Sequence, residues 1–389
     1  MDHLIEIFVR FGELGLKSPP VRRNMERRLA QNISVILEKK GIVNANVQIS
    51  RKWGRLIVSV NPEYQEIKNE KELTISLVKI LSENVFGVTS ISPVVNSGSD
   101  IESISKLALK IAKKVLQPNT SFVVRATRTG NHPYTSVELE RTIGGVIYEA
   151  LHKERNLSVN LTKPDTTISI EVKDEYAFFY EEKVEGYGGL PQGVQGKTLS
   201  ILRGSQEDAV AGFLLCKRGV VTTPIIFKHS SKEERKDNSQ ALKNHLEIYS
   251  SFNPKLKDTH YEVDMNAIIE AIGYDNIQCS TCDKICILIS REIAPKRDLL
   301  GLTLGNINQA LLERNPEKSS DYDFPIYYPL IALEPEKVIH PFKEKNKNSF
   351  CLDTCPGYKN QKKKDVKPLT SEEISEIVAN TNFVKVKSD

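Results

Sequence analysis

The 389-residue chain has no apolar run long enough to cross a bilayer. Stretches such as Ala209–Cys216 fall far short of the ~20 residues a membrane helix needs. The N-terminus MDHLIEIFVRFGE lacks a basic n-region, an extended apolar segment and a small-residue cleavage site. No signal peptide is read there, and the expected location is cytoplasmic with no membrane partner. A dominant charge is also missing. The 54 Lys and Arg against 50 Asp and Glu leave a net +4, which excludes a histone-like polycation, so an RNA partner must be met by locally concentrated basic residues. Cysteine is scarce too, with six in all, too few for a disulfide scaffold at this size. Five of them follow Gln278 in two clusters, which in a cytosolic chain favours metal or redox chemistry over disulfides. What is present is 39% hydrophobic and 27% charged residues. That is enough for real cores, in about two or three domains.

Periodicity supplies the outline. Leu4–Val9 reads as a strand, and Pro20 stands near the start of a helix, Val21–Lys40, with Met25, Leu29, Ile33 and Leu37 at four-residue spacing. Gly41 ends it. Strands at Val47–Ser50 and Arg55–Val60 and a helix ending near Asn84 complete a split βαβ, ferredoxin-like order. A second unit from Asp100 reads as helix Ile101–Val115, strand Ser121–Thr127, a polar loop with His132 and Tyr134, and a helix capped by Ser136. Strands Ser158–Leu161, Thr167–Val172 and Ala177–Tyr180 close that unit. GYGGLPQGVQGK, ending at Lys197, reads as a linker. Strand Thr198–Leu202, a tight RGSQED turn, helix Ala209–Lys217 and strand Val220–Phe227 then form a parallel βαβ unit. Its ligand site is expected at the first strand's C-terminal end. The expected domains are 1–76, 77–184 and 198–389, with 185–197 between the last two. The fold class is α/β combined with α+β.

Several stretches carry a resemblance. They are Arg10-Phe11-Gly12-Glu13-Leu14-Gly15-Leu16-Lys17, then Val21 to Leu29 with Arg22 and Arg23, then Gly54-Arg55-Leu56 and Phe86-Gly87-Val88. The middle contributes Phe122 to Arg128, Thr135 to Arg141 and Gly144-Gly145. Gly189-Leu190-Pro191 and Val210 to Leu214 running into Lys217-Arg218-Gly219 complete the set. In this order they resemble the tRNA uracil 4-sulfurtransferase (4-thiouridine synthetase) family across nearly the whole chain. The resemblance implies an N-terminal ferredoxin-like domain, a THUMP RNA-binding domain and a Rossmann-like (adenine nucleotide alpha hydrolase-like) parallel-sheet domain. It implies tRNA as partner, a separate sulfur donor and a homodimer. It also implies RNA contacts from Arg10, Lys17, Arg22, Arg23, Arg125, Arg128 and Arg141, which are otherwise solvated surface charges.

The catalytic centre departs from the family pattern. Members carry Ser-Gly-Gly-x-Asp-Ser where this chain has Arg203-Gly204-Ser205-Gln206-Glu207-Asp208. Phosphate needs uncrowded N–H groups free of negative charge. Gly204 survives, Ser205 replaces the second glycine, and Glu207 and Asp208 place acids in the first turn. The family's Thr-Gly-Glu-x-x-Gly-Gln stretch appears as Leu300 to Asn306, which keeps Gly301 and Gly305 and loses its carboxylate. Gly204 and Gly301 are thus the residues left for a nucleotide, and the altered loop counts against ATP binding without deciding whether ATP is bound. The cysteines match better. Cys279 and Cys282 sit where archaeal-type members carry Cys-x-x-Cys, and Cys355 sits at the sulfur-handling position. In relatives such a set holds an iron–sulfur cluster whose open iron position takes hydrosulfide. Cys286 or Cys351 is a candidate further ligand, and zinc uses the same thiolates. Two buried free thiols are the bland alternative, and Cys216 reads as a core thiol. The function expected is sulfur transfer to a tRNA uridine with Cys355 handling sulfur. The alternatives are a tRNA-binding paralogue that has lost ATP-dependent activation, and a different reaction on tRNA that runs without ATP.

Overall fold

The computed structural model describes residues 4–43, 47–67, 69–180, 182–231, 236–254, 259–273, 277, 279–294, 298–305, 324–331, 333, 370–381 and 383–387. The chain divides into two compact units: residues 1–15, 37–82 and 88–186 in one, and 16–36, 83–87 and 187–389 in the other.

In chain order the elements up to the second unit's sheet are β1 (Ile5–Arg10), α1 (Pro19–Lys39), β2 (Val47–Lys52), β3 (Arg55–Val60), α2 (Glu70–Asn84), β4 (Ser90–Gly98), α3 (Ile101–Val115), β5 (Ser121–Thr129), α4 (Ser136–Arg155), β6 (Ser158–Val159), β7 (Thr166–Lys173), β8 (Tyr176–Tyr180) and β9 (Val184–Glu185). The strand–helix–strand–strand–helix–strand order is the ferredoxin-like one expected. Met25, Leu29, Ile33 and Leu37 are all buried, as their spacing requires. The boundary expected at 76/77 falls inside α2, which is continuous from Glu70 to Asn84.

The first unit is one nine-stranded sheet, β2-β3-β1-β4-β8-β7-β5-β6, with β9 added beside β4. Strand β4 joins its halves. Residues Ser90–Val94 pair antiparallel with β1, and Val95–Gly98 pair antiparallel with β8. The β2–β3 hairpin closes through Trp53 and Gly54, both at positive φ (+50° and +73°). That is the backbone a two-residue hairpin turn demands, and a tryptophan occupies it at a conformational cost. Helix α4 is capped by Thr135, not by Ser136 as expected. The Thr135 hydroxyl accepts from the Glu138 N–H at 3.2 Å, and the Glu138 carboxylate accepts from the Thr135 N–H at 2.7 Å. The reciprocal pair fixes the helix start one residue earlier than the serine suggests.

The second unit adds β10 (Lys197–Leu202), α5 (Gln206–Lys217), β11 (Val221–Lys228), β12 (Ser230–Ser231), β13 (Lys236–Asp237), α6 (Ser239–Phe252), β14 (Thr259–Asp264), α7 (Met265–Ile272), α8 (Cys279–Ile293), β15 (Leu302–Thr303), β16 (Ile326–Tyr327), α9 (Ser371–Ala379) and β17 (Phe383–Lys387). Six strands form a sheet in the order β16-β15-β10-β11-β14-β17, parallel except for β17. Alternation along the strands feeds two cores. Leu199, Ile201, Ile225 and Phe227 pack with α7, α8 and Ile374 of α9. Leu202 and Ile226 pack with Phe213 of α5 and with Leu242, Tyr249 and Phe252 of α6. Helices therefore cover both faces, as a parallel sheet requires. The glycine-rich stretch read as a linker is ordered here. Leu190 and Gln192 are buried, and the Leu190 N–H donates to the Lys217 carbonyl at 2.9 Å.

Candidate functional site

Strand order in the second unit reverses between β10 and β15, and open α/β sheets take ligands beyond the C-terminal ends of such a pair. Two segments meet there: residues 203–208, leaving β10 for α5, and Leu304–Gly305, leaving β15. Gly204 has φ +100°, and a Cβ on it would press on the Asn238 side chain at 3.1 Å. Ser205 caps α5 by accepting the Asp208 N–H at 3.2 Å. Asp208 is a carboxylate with no exposed surface. One of its oxygens accepts from the Arg203 backbone N–H (3.1 Å) and from Arg203 Nε (2.9 Å). The other accepts from Arg203 Nη2 (2.7 Å) and from the Gly305 N–H (3.2 Å). Arg203 Nη1 donates to Asp283 on α8. Asn238 braces the same edge, donating to the carbonyls of Arg203 (2.9 Å) and Phe227 (2.8 Å) and accepting from the His229 N–H (3.0 Å).

A nucleotide's phosphates do not fit this arrangement. They need open N–H groups and no resident anion. Here the third helical N–H is taken by Ser205 and a carboxylate already sits in the crevice. Gly305 also lies directly on the first turn of α5, where a Cβ would come within 2.2 Å of the Glu207 carbonyl carbon. Gly301 stands at the other end of β15, hemmed by the Tyr327 ring and the Pro325 carbonyl. The glycine at the crevice is therefore Gly305, not the Gly301 singled out from sequence. Asp283 and Asn238 were missed altogether, and Arg203 was read only as a loop residue without its partners. They are far apart in sequence, and only the acids in the first turn hinted at a closed loop.

The ion pair to Asp283 brings the loop to the first turns of α8, one residue from Cys282. Cys282 is half-buried at the margin of the core, and Cys286 is fully inside it among isoleucines. Cys279 begins α8. Cys351 and Cys355 lie outside the described residues. Among the described residues no three His, Cys, Asp or Glu side chains form a metal-binding group. Cys216 is enclosed, and burial pushes its thiol up to about 11, which suits a packed thiol and not a nucleophile.

Of the expected RNA contacts in the first unit, Arg125, Arg128 and Arg141 are exposed. Arg125 also donates to the Leu161 carbonyl at 2.5 Å, and Arg128 to the Gly130 carbonyl at 3.1 Å. In residues 16–36, which belong to the second unit, Lys17 and Arg23 are exposed and Arg22 pairs with Glu26 at 2.8 Å. Arg10 is different. It lies over the Tyr180 ring, donates to Ser92 at 2.9 Å and stands 4.0 Å from Glu171. Arg55 grips the same Glu171 with two bonds of 2.5 and 2.6 Å, and Lys173 approaches it at 3.3 Å. Desolvation holds the Arg10 guanidinium below its usual range. Tyr134 is buried, and its hydroxyl donates to the Ser99 carbonyl at 2.5 Å. Trp53 packs, with Nε1 donating to Asp174 at 2.7 Å and its ring 5.2 Å from Phe178.

Three family models match in series: the ThiI ferredoxin-like domain over residues 6–92, the THUMP domain over 98–181 and Thiamine biosynthesis protein (ThiI) over 193–385. A probable tRNA sulfurtransferase of Methanocaldococcus jannaschii is 30% identical over 391 residues, covering 96% of this chain and 97% of that protein. The chain belongs to the tRNA sulfurtransferase family. Another probable tRNA sulfurtransferase, from Thermococcus kodakarensis, is 31% identical over 90% of this chain and 89% of its own. Among solved structures, PH1313 from Pyrococcus horikoshii superposes with a TM-score of 0.60 at 27% identity, over 85% of this chain and 96% of that one. A 4-thiouridine synthetase–RNA complex with bound ATP shares the fold, with a TM-score of 0.68 at 19% identity over 99% and 100% of the two chains. No helix among the described residues of this family member is long and apolar enough to cross a membrane.

Proposed function

We propose that this chain acts on tRNA as a sulfurtransferase, with the RNA held by the first unit and sulfur delivered beside the β10–α5 loop. The Arg203–Asp283 pair carries the reading, because it sets the Cys279–Cys282 helix against the crevice where this sheet type binds ligands. Cys355 handles sulfur, received from a separate donor protein, and the expected assembly is a homodimer. Cys279, Cys282 and Cys355 would hold an iron–sulfur cluster, with Cys351 as a substitute. Thiolates are its natural ligands, and a bound cluster would supply an iron position for hydrosulfide. A cysteine persulfide at Cys355 would serve the same purpose without metal. Enclosed in the core, Cys286 acts in packing. The test is 4-thiouridine in tRNA from a deletion strain complemented with wild type, Cys282→Ala or Cys355→Ala. Wild type restores the nucleoside and both variants fail to; an unchanged level in either variant counts against the role of that cysteine.

The filled loop favours a second reading, a tRNA-binding paralogue without ATP-dependent activation. In that case wild-type complementation leaves 4-thiouridine absent, while the purified chain still shifts tRNA in a gel and ATP leaves that shift unaltered.

A further inference from the structure

We infer that Asp208 is a built-in occupant of the switch-point crevice, a carboxylate standing where an incoming phosphate would sit, and that this one side chain keeps polyphosphates out. The inference rests on the second reading above and gives it a device. Its two oxygens receive four N–H donors: the Arg203 amide, Arg203 Nε, Arg203 Nη2 and the Gly305 amide. Such a set, two backbone amides from two loops and a guanidinium, is what protein sites offer to phosphate. Here the chain satisfies it internally, with the carboxylate fully removed from water.

The surrounding residues fit this assignment. Arg203 is saturated on both sides, its remaining Nη1 engaged by Asp283. Ser205 takes the Asp208 N–H, so the helix end offers one donor fewer. The hydrogen bond from Gly305 crosses from the β15 end to the β10 end, spanning the gap a ligand would enter. A phosphate arriving at this point meets a like charge and no free donor from Arg203. Such an encounter is repulsive at any effective dielectric of a protein interior. At the matching position the family pattern has serine, which is neutral and shorter.

The experiment uses the full chain and titrates inorganic pyrophosphate and ATP by calorimetry into wild type, Asp208→Ser and Asp208→Asn. Wild type is expected to show no saturable binding at millimolar ligand. Removing the charge is expected to give pyrophosphate binding at least tenfold tighter than wild type, and adding Arg203→Ala to the responsive variant to abolish it. The asparagine variant keeps the side chain's size, so it decides the matter if the serine variant does not fold. Saturable ATP binding by wild type overturns both this inference and the second reading. Folded D208S and D208N proteins that both ignore pyrophosphate overturn the inference alone. A wild-type chain that binds no tRNA overturns the second reading and leaves the role of Asp208 standing.

Discussion

Replacing Glu171 by Gln tests the energetic heart of the first unit. Three cations, Arg10, Arg55 and Lys173, converge on this single carboxylate, and Arg55 and Glu171 are each only 10% exposed. Arg10 Nη2 and Arg55 Nε are buried with no acceptor among the described residues, so the cluster is already short of negative charge. Burial alone would raise the Glu171 carboxyl, but the hydrogen bonds and charge of Arg55, helped by Lys173, hold it below the usual carboxylate range. Taking away the anion of a buried pair costs about 3–5 kcal/mol, because the partner's charge is left stranded. With a urea slope of about 2 kcal/mol per molar, the midpoint should fall by roughly 2 M. The chain's one tryptophan, Trp53, lies in the same unit against Phe178, so its fluorescence reports this transition. Acid should produce the same loss. A carboxyl lowered in the folded state contributes stability above its unfolded value near 4.5, and the contribution disappears as pH falls through the lowered folded value. An E171Q midpoint within about 0.5 M of wild type would refute the reasoning, since no stranded charge would then exist.

Three further outcomes are expected. His245 on α6 is held down to about 4 by burial, against the opposing charge of Asp208; the unfolded chain protonates from 6.5, so stability falls as pH drops below 6.5. The loss is about 2 kcal/mol at pH 5, and urea melts followed by far-UV dichroism should show that slope flattened in His245→Gln. Gly212→Ala places a Cβ 1.7 Å from the Tyr249 hydroxyl oxygen; it should unfold the second unit at a cost above about 3 kcal/mol, with partial recovery when Tyr249→Phe is added. Substituting Arg125, Arg128 and Arg141 together by Ala should weaken tRNA binding and lower the slope of log K against log salt by about 1 for each phosphate no longer neutralised. A slope equal to wild type in filter binding would remove these arginines from the interface.

The elements were legible because their signals are local. Helix α3 matches its expected limits residue for residue, since Asp100 caps it and an apolar face runs through Ile104, Ala108 and Ala112. The β10–α5–β11 unit was readable from two short apolar strands around a helix that Gly219 ends. What periodicity could not supply was pairing across distance. Glu171 and Arg55 are 116 positions apart, and Arg203 and Asp283 are 80. Arg10 looked like one more surface cation because nothing near it in sequence announces Glu171. The altered loop was visible as the loss of the second glycine, now Ser205, and of the pattern's two serines, now Arg203 and Asp208. That its own aspartate would turn inward, and that Gly305 would settle on the helix, depended on a strand joining the sheet almost a hundred residues later.

Strand β4 has a consequence for how this chain can be handled by evolution or by the laboratory. Its first five residues belong to the ladder of the ferredoxin-like half and its last four to that of the THUMP half. Cutting anywhere along it strips backbone donors and acceptors from one side and leaves a sticky edge open to other chains. A truncation or transplant that leaves both ladders paired has to carry the two halves together, and any swivel between them must flex a hydrogen-bonded strand. Whatever spacing they impose on a bound RNA is set by a continuous ribbon and not by a tether.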